Sequence, residues 1–320
     1  MRFKRLAAGL LGVCVALSMG GCGTATEQRT VAVIAKSVTS DFFHNMRNGV
    51  YAAATEYNVT VTFDGPENEE DYATQNRMIE QAVEDGVDAI VLSAIDYTRS
   101  NAVVEEAVRR GVKVLTVDSN IGSSAVSLFI GTDNREAGRA AALAALDDSS
   151  TERLVNIGLV NYTAETDNGR QRVEGFREYI DDIPNARVVA EITAESNTVS
   201  ATQAALSLLQ EYPQINVLVG FNEWMTLGVG NAIRQAGVAD RVRGVGFDSN
   251  VLSVSMLETG EMDALIVQNP FAIGYLSIQN AEALLSGRTV DTPELYTAVT
   301  TVNRQNLFDE NVQKILFRFD

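Results

Sequence analysis

Two cysteines and one histidine are all that 320 residues supply. That inventory leaves few parts for a Cys/His zinc site or a Ser-His-Asp triad. The one histidine, His44, follows Phe43 in what reads as a helical first turn, where a solvated surface side chain is expected. No G-x-x-x-x-G-K-[ST] loop occurs, and the turn after the first apolar run (Lys36-Ser37-Val38-Thr39-Ser40-Asp41) has no glycine to wrap a pyrophosphate. Beyond residue 22 there is no run of about 20 apolar residues, the length a membrane helix needs. Basic residues are in deficit, 25 Lys and Arg against 42 Asp and Glu, for a net charge of −17. Nucleic acid is thereby a poor partner, because duplex binding draws on clustered basic side chains. The acidity fits solubility instead. Neither a metal nor a cofactor is expected from this inventory.

The first 22 residues have their own pattern. Met1-Arg2-Phe3-Lys4-Arg5 is a basic start, residues 6–18 are apolar over signal-peptide length, and Met19-Gly20-Gly21-Cys22 follows. This resembles a bacterial lipobox, with Met19 where the pattern prefers leucine. Residues 1–21 are therefore expected to be a lipoprotein signal peptide, Cys22 the lipidated residue, and residues 22–29 a small, polar tether. Cleavage there removes Cys14 and leaves no pair of cysteines for an internal disulfide.

With 46% hydrophobic residues, the remaining length suits two domains of about 100–200 residues each. From Val31 onward short apolar runs alternate with helical periodicity: VAVIA, a helix with Met46, Val50, Ala53 and Tyr57 on one face, VTVTF, a second helix, AIVLS, a third, then VKVLTVD. RLVNIGL, RVVAEIT, NVLVGF, VRGVGFD and ALIVQN repeat the plan, with helices expected over 169–180, 199–211, 224–235 and 271–285. The fold class is α/β, in two doubly wound Rossmann-like lobes with parallel sheets.

The plan is also repeated in detail. GVKVLTVDSN and RVRGVGFDSN end on the same Asp-Ser-Asn, at Asp118 and Asp248, 130 positions apart. In open parallel sheets ligands sit beyond the carboxyl ends of the strands. Two facing sheets would let Asp118 and Asp248 approach one ligand from opposite sides, although helix capping would also place Asp there. Carboxylates and amides at such positions suit polyols, since each can bond neighbouring hydroxyls. A two-carboxylate hydrolase would need one aspartate to be an acid and the other a base, and nothing local separates them.

Along nearly all of this length the chain resembles the type I periplasmic sugar-binding proteins, whose familiar member is the ribose-binding protein. VAVIAKSVTSDFF, GVDAIVLSAID, GVKVLTVDSN, FIGTDN, RQRVEGF, GFNEWMTLG, GVGFDSN and IVQNPFAIGYL carry the likeness. The resemblance implies a cleft with Phe42 and Phe43 as ring-stacking aromatics and Asp118 as a hydroxyl clamp. From the second lobe it implies Arg170, Asn222, Asp248 and Gln268, with Phe247 beside them. Lys36 and Ser93 join the ligand-binding set as departures, standing for a small polar residue and an asparagine. Ser119 and Ser196 also depart, replacing an arginine and a phenylalanine, so the pocket should differ from a ribose site. The resemblance further implies a multi-strand hinge with crossings near Thr132, Asn269 and Ala298. Lobe 1 is then 30–132 plus 270–298, and lobe 2 is 133–269 plus 299–320.

The implied function is a substrate-binding lipoprotein outside the cytoplasmic membrane, carrying a monosaccharide or related polyol to an ABC permease. Lys36, TFDGP over residues 62–66 and Asp167-Asn168 also resemble the furanosyl quorum-signal receptor, though Phe221-Asn222-Glu223 replaces its proline-containing strand end. A sensory receptor for a membrane kinase would use the same closure. A lactose-repressor-type regulator shares the body but needs a helix-turn-helix where this chain has an export signal. Trp224, the single tryptophan, is expected to report lobe closure.

Overall fold

The computed structural model describes residues 28–146, 153–163, 165–290 and 292–316. The expected signal peptide, Cys22 and most of the tether lie outside the described residues.

The first unit runs β1 (Thr30–Ile34), α1 (Asp41–Tyr57), β2 (Thr60–Asp64), α2 (Tyr72–Glu84), β3 (Ala89–Leu92), α3 (Asn101–Arg109), β4 (Lys113–Val117) and β5 (Phe129–Thr132). The second runs α4 (Asn134–Ala145), β6 (Val155–Asn161), α5 (Asp167–Ile180), β7 (Ala186–Thr193), α6 (Thr198–Glu211), β8 (Val217–Gly220), α7 (Glu223–Ala236), β9 (Arg243–Phe247), α8 (Val251–Thr259) and β10 (Ala264–Val267). The chain ends with α9 (Pro270–Leu285), β11 (Glu294–Thr297), β12 (Thr300–Asn303) and α10 (Glu310–Leu316).

Two six-stranded sheets result, ordered β11-β5-β4-β3-β1-β2 and β12-β10-β9-β8-β6-β7. Corresponding strands hold corresponding places, as a duplication requires. Ladders are parallel except for β12, which runs against β10. Helices cover both faces, so central strands such as AIVL (β3) and ALIV (β10) are buried throughout. Edge strand β2 alternates exposed and half-buried positions instead. Each lobe has its own core.

Sheet membership changes three times. Helix α4 follows β5 of the first sheet yet packs on α5, β9 and β10 of the second; α9 follows β10 yet packs on α1, β3 and β4 of the first. Finally β11 pairs with β5 and β12 with β10. Each crossing helix meets its neighbour through glycine: a Cβ on Gly274 would lie 2.1 Å from the Met46 carbonyl oxygen, and one on Gly138 would lie 2.1 Å from that of Arg172. These contacts fix α1 against α9 and α5 against α4, the two crossing helices.

Register then brings the strand ends level. Ile34 pairs with Leu92 and Leu92 with Thr116 in the first sheet; Val160 pairs with Gly220 and Phe247 with Ile266 in the second. The residues just beyond these pairs include Lys36, Ser93 and Asp118 on one side, and Tyr162, Asn222, Asp248 and Gln268 on the other.

Candidate functional site

The two sets of strand ends meet around a small, tightly closed cavity. Most of its lining side chains are polar or charged, and Phe42, Phe43 and Tyr162 are the aromatic ones. The Phe42 and Phe43 rings sit edge to face, with centroids 5.2 Å apart. Both are buried, and both line the cavity.

Asp118 and Asp248 share an uncommon backbone. Their φ values are 57° and 66°, and Asn58 is the one other non-glycine residue with positive φ among the described residues. Left-handed backbone is unfavourable for most side chains and collects at ligand sites. Neither aspartate caps a helix. Asn250 caps α8, its Oδ1 accepting from the Ser253 N–H at 2.8 Å, and the element after Asp118 is strand β5, with no helix to cap.

The two carboxylates differ in how much bonding capacity remains. Asp118 accepts from Ser93 Oγ at 2.8 Å and Asn168 Nδ2 at 3.0 Å, and its Oδ2 lies 3.3 Å from Lys36 Nζ. Three of the roughly four lone-pair sites of a carboxylate are then engaged. Asp248 accepts from Gln268 Nε2 at 2.7 Å, and that amide is oriented by Thr132 Oγ1, which donates to Gln268 Oε1 at 2.8 Å. Asp248 therefore retains more capacity for hydroxyl donors than Asp118. Burial pushes its pKa up, against the lowering effect of the Arg172 guanidinium and the Gln268 hydrogen bond.

Lys36 is a buried member of the site. Its Nζ lies 3.8 Å from Glu69 Oε2 and 5.6 Å from the centroid of the Tyr162 ring. Burial opposes its charge, but Asp118 and Glu69 outweigh that effect and hold its pKa above the ordinary lysine value. Burial raises Glu69 and Tyr162 as well. The Tyr162 hydroxyl donates to Asn168 Oδ1 at 2.8 Å, which turns the Asn168 amide nitrogen toward Asp118 across the cleft.

Arg172 is 1% exposed. Its Nε donates to Asn134 Oδ1 at 2.9 Å, its Nη1 to the Phe221 carbonyl at 2.8 Å, and its guanidinium lies 4.6 Å from the Phe247 ring centroid. The remaining nitrogen, Nη2, is buried without a hydrogen-bond partner. An unpaired buried donor costs free energy, about 1–3 kcal/mol and more when charged, and a ligand oxygen would remove that cost.

The expectation for Arg170 is corrected. Arg170 is 43% exposed on its side chain and pairs with Asp167 at 2.7 Å and Glu174 at 2.9 Å. Two residues along a helix are about 200° around its axis, so Arg172 faces the cleft where Arg170 faces water. Ser93 does not line the cavity either; it supports Asp118 from behind. Asn222 lines the wall, but both ends of its amide are engaged within the second lobe: its Oδ1 caps α7 by accepting from the Met225 N–H at 2.9 Å, and its Nδ2 donates to Ser196 Oγ at 3.5 Å. Trp224 is half-buried against the core of the second lobe and is not among the cavity residues. Glu69, Arg172, Tyr162 and Glu223 were not singled out from sequence. The last two stand within two residues of a strand or its capping turn, a position that could have marked them.

Residues 31–289 match the profile of the periplasmic binding protein domain. The chain is 29% identical over 292 residues to the D-ribose/D-allose-binding protein of Pseudomonas aeruginosa, covering 85% of this chain and 90% of that one. It is 25% identical over 265 residues to the ribose import binding protein of Bacillus subtilis, covering 82% and 84%. Among solved structures, a carbohydrate transporter solute-binding protein from Agrobacterium radiobacter in complex with D-arabinose superposes with a TM-score of 0.88 at 27% identity, covering 91% of this chain and all of that one. An ABC transporter solute-binding protein from Agrobacterium vitis with bound D-fucose gives 0.85 at 30% identity, covering 90% and 100%. The two-lobed α/β fold, the interlobe cavity and these matches agree: the chain belongs to the periplasmic binding protein domain family, as a type I sugar-binding protein and not an enzyme.

Proposed function

We propose that this protein captures a monosaccharide or related polyol between its lobes and hands it to an ABC permease. The unpaired Arg172 Nη2 beside the under-bonded Asp248 carries this reading. One offers a charged donor and the other a charged acceptor, the pair of partners that adjacent sugar hydroxyls supply. Phe42 and Phe43 give a ring face something apolar to lie against. A thermal-shift screen with D-ribose, D-allose, D-arabinose and D-fucose tests it. A sugar at 100 times its dissociation constant should stabilise the fold by about 2.7 kcal/mol; no shift with any aldopentose or aldohexose would count against it.

The buried Lys36 favours a second ligand, the furanosyl quorum signal, which belongs in the same screen. Attachment through a lipid on Cys22 completes the reading. Radiolabelled palmitate should enter the wild-type protein in a bacterial host and fail to enter Cys22→Ser; equal labelling of both would remove the anchor.

A further inference from the structure

Glu223 opens α7 in the second lobe, but three of its hydrogen bonds extend well beyond that helix. Its Oε2 accepts from the backbone N–H of Phe42 at 3.2 Å, and its Oε1 accepts from that of Asp41 at 3.4 Å. These are the first two N–H groups of α1 in the opposite lobe, which have no partner within their own helix. Ser40, the α1 cap, accepts from Phe43 instead. On the second-lobe side, Asn250 Nδ2 donates to Glu223 Oε1 at 2.8 Å and holds the carboxylate in place. One carboxylate thus ties α7 and the α8 cap to the helix end that presents both aromatic rings to the cavity.

We propose that Glu223 is an interlobe latch, a positioning residue that docks the Phe42-Phe43 end of α1 onto the second lobe whenever the cleft closes. The proposal builds on the reading of the cleft as a closing sugar site, but its test uses no sugar, so the two can fail separately.

The latch has a predictable response to pH. Burial in the closed cleft raises the Glu223 pKa to about 7, against the lowering effect of the Asn250 and Phe42 hydrogen bonds; Asp248 and Asp41 push it further up. The other charged groups at hand are His44 beside Asp41 on α1, and Lys36, Glu69, Asp118 and Arg172 around the same cavity. In the open form the carboxyl meets water and has an ordinary value near 4.3. The closed form therefore binds a proton more tightly, and closure gains as pH falls through 7 and levels off near the open-form value. Between pH 7.5 and 5.5 the closed-to-open ratio should rise on the order of tenfold.

Small-angle X-ray scattering of the sugar-free protein across that range reads the ratio directly. Wild type should become more compact as pH falls. Glu223→Gln keeps an acceptor oxygen but cannot titrate, so that part of the response should vanish, leaving only what Glu69 and Asp248 contribute. Glu223→Ala removes the acceptors and should be more open than wild type at every pH, with circular dichroism confirming that it is folded. A wild type whose radius of gyration ignores pH, or the same curve for wild type and Glu223→Gln, overturns the proposal.

Discussion

Loss of the Asp118 carboxylate and loss of the Asp248 carboxylate should have different consequences, although the two stand at equivalent strand ends. Asp118 partners Lys36, a lysine 3% exposed, together with Glu69. Asp118→Ala leaves that ammonium buried with half its compensation, and breaking a buried pair can cost about 3–5 kcal/mol. Urea unfolding of Asp118→Ala should therefore show a marked loss of stability, partly restored by Lys36→Met in the same chain. A stability equal to wild type would mean that Lys36 reaches water. The pairing of Asp118 with Asp248 was legible because duplicated motifs are read by counting. Their inequality was not legible, since it depends on Asn168, in the first turn of α5, and on Glu69, in the loop before α2. The inward arginine of α5 is hidden from the sequence for a related reason. A run such as Arg170-Gln171-Arg172 shows that an arginine is near, while the phase of α5 decides which one turns inward.

At the scale of elements, the helices that carry site residues are placed by glycine contacts. A Cβ on Gly138 would lie 2.1 Å from the Arg172 carbonyl oxygen, and one on Gly175 would lie 2.1 Å from that of Arg135. Both obstacles are backbone, so α4 and α5 must separate if either glycine gains a methyl group. Gly138→Ala should cost about 1–3 kcal/mol in thermal or chemical unfolding. It should also weaken sugar binding, because Arg172 moves with α5; unchanged affinity would show that the arginine adapts independently. Most strand-helix alternation was legible from period alone. β5, α4 and α10 were not singled out. β5 follows β4 with no helix between them and is only four residues long. The buried face of α4 is Ala137, Gly138, Ala141, Ala142 and Ala145, small residues that give little apolar contrast.

The whole molecule is two lobes that touch directly at the cleft mouth as well as through the hinge. The Ser196 N–H donates to Glu70 Oε1 at 2.7 Å, and the Tyr97 N–H to the Glu165 carbonyl at 2.9 Å. With Asn168 on Asp118 and Glu223 on α1, these bonds describe a closed arrangement in which a ligand would be enclosed. Such a binding mode concentrates affinity in a few desolvated polar contacts. The most direct measurement is therefore calorimetric titration of wild type and Asp248→Ala with the sugar that gives the largest thermal shift. One sugar per chain should bind to the wild type, and the variant should bind it roughly ten- to a hundredfold more weakly, the equivalent of about 1.5–3 kcal/mol for a charged hydrogen bond. Wild-type affinity in Asp248→Ala would contradict the interlobe site.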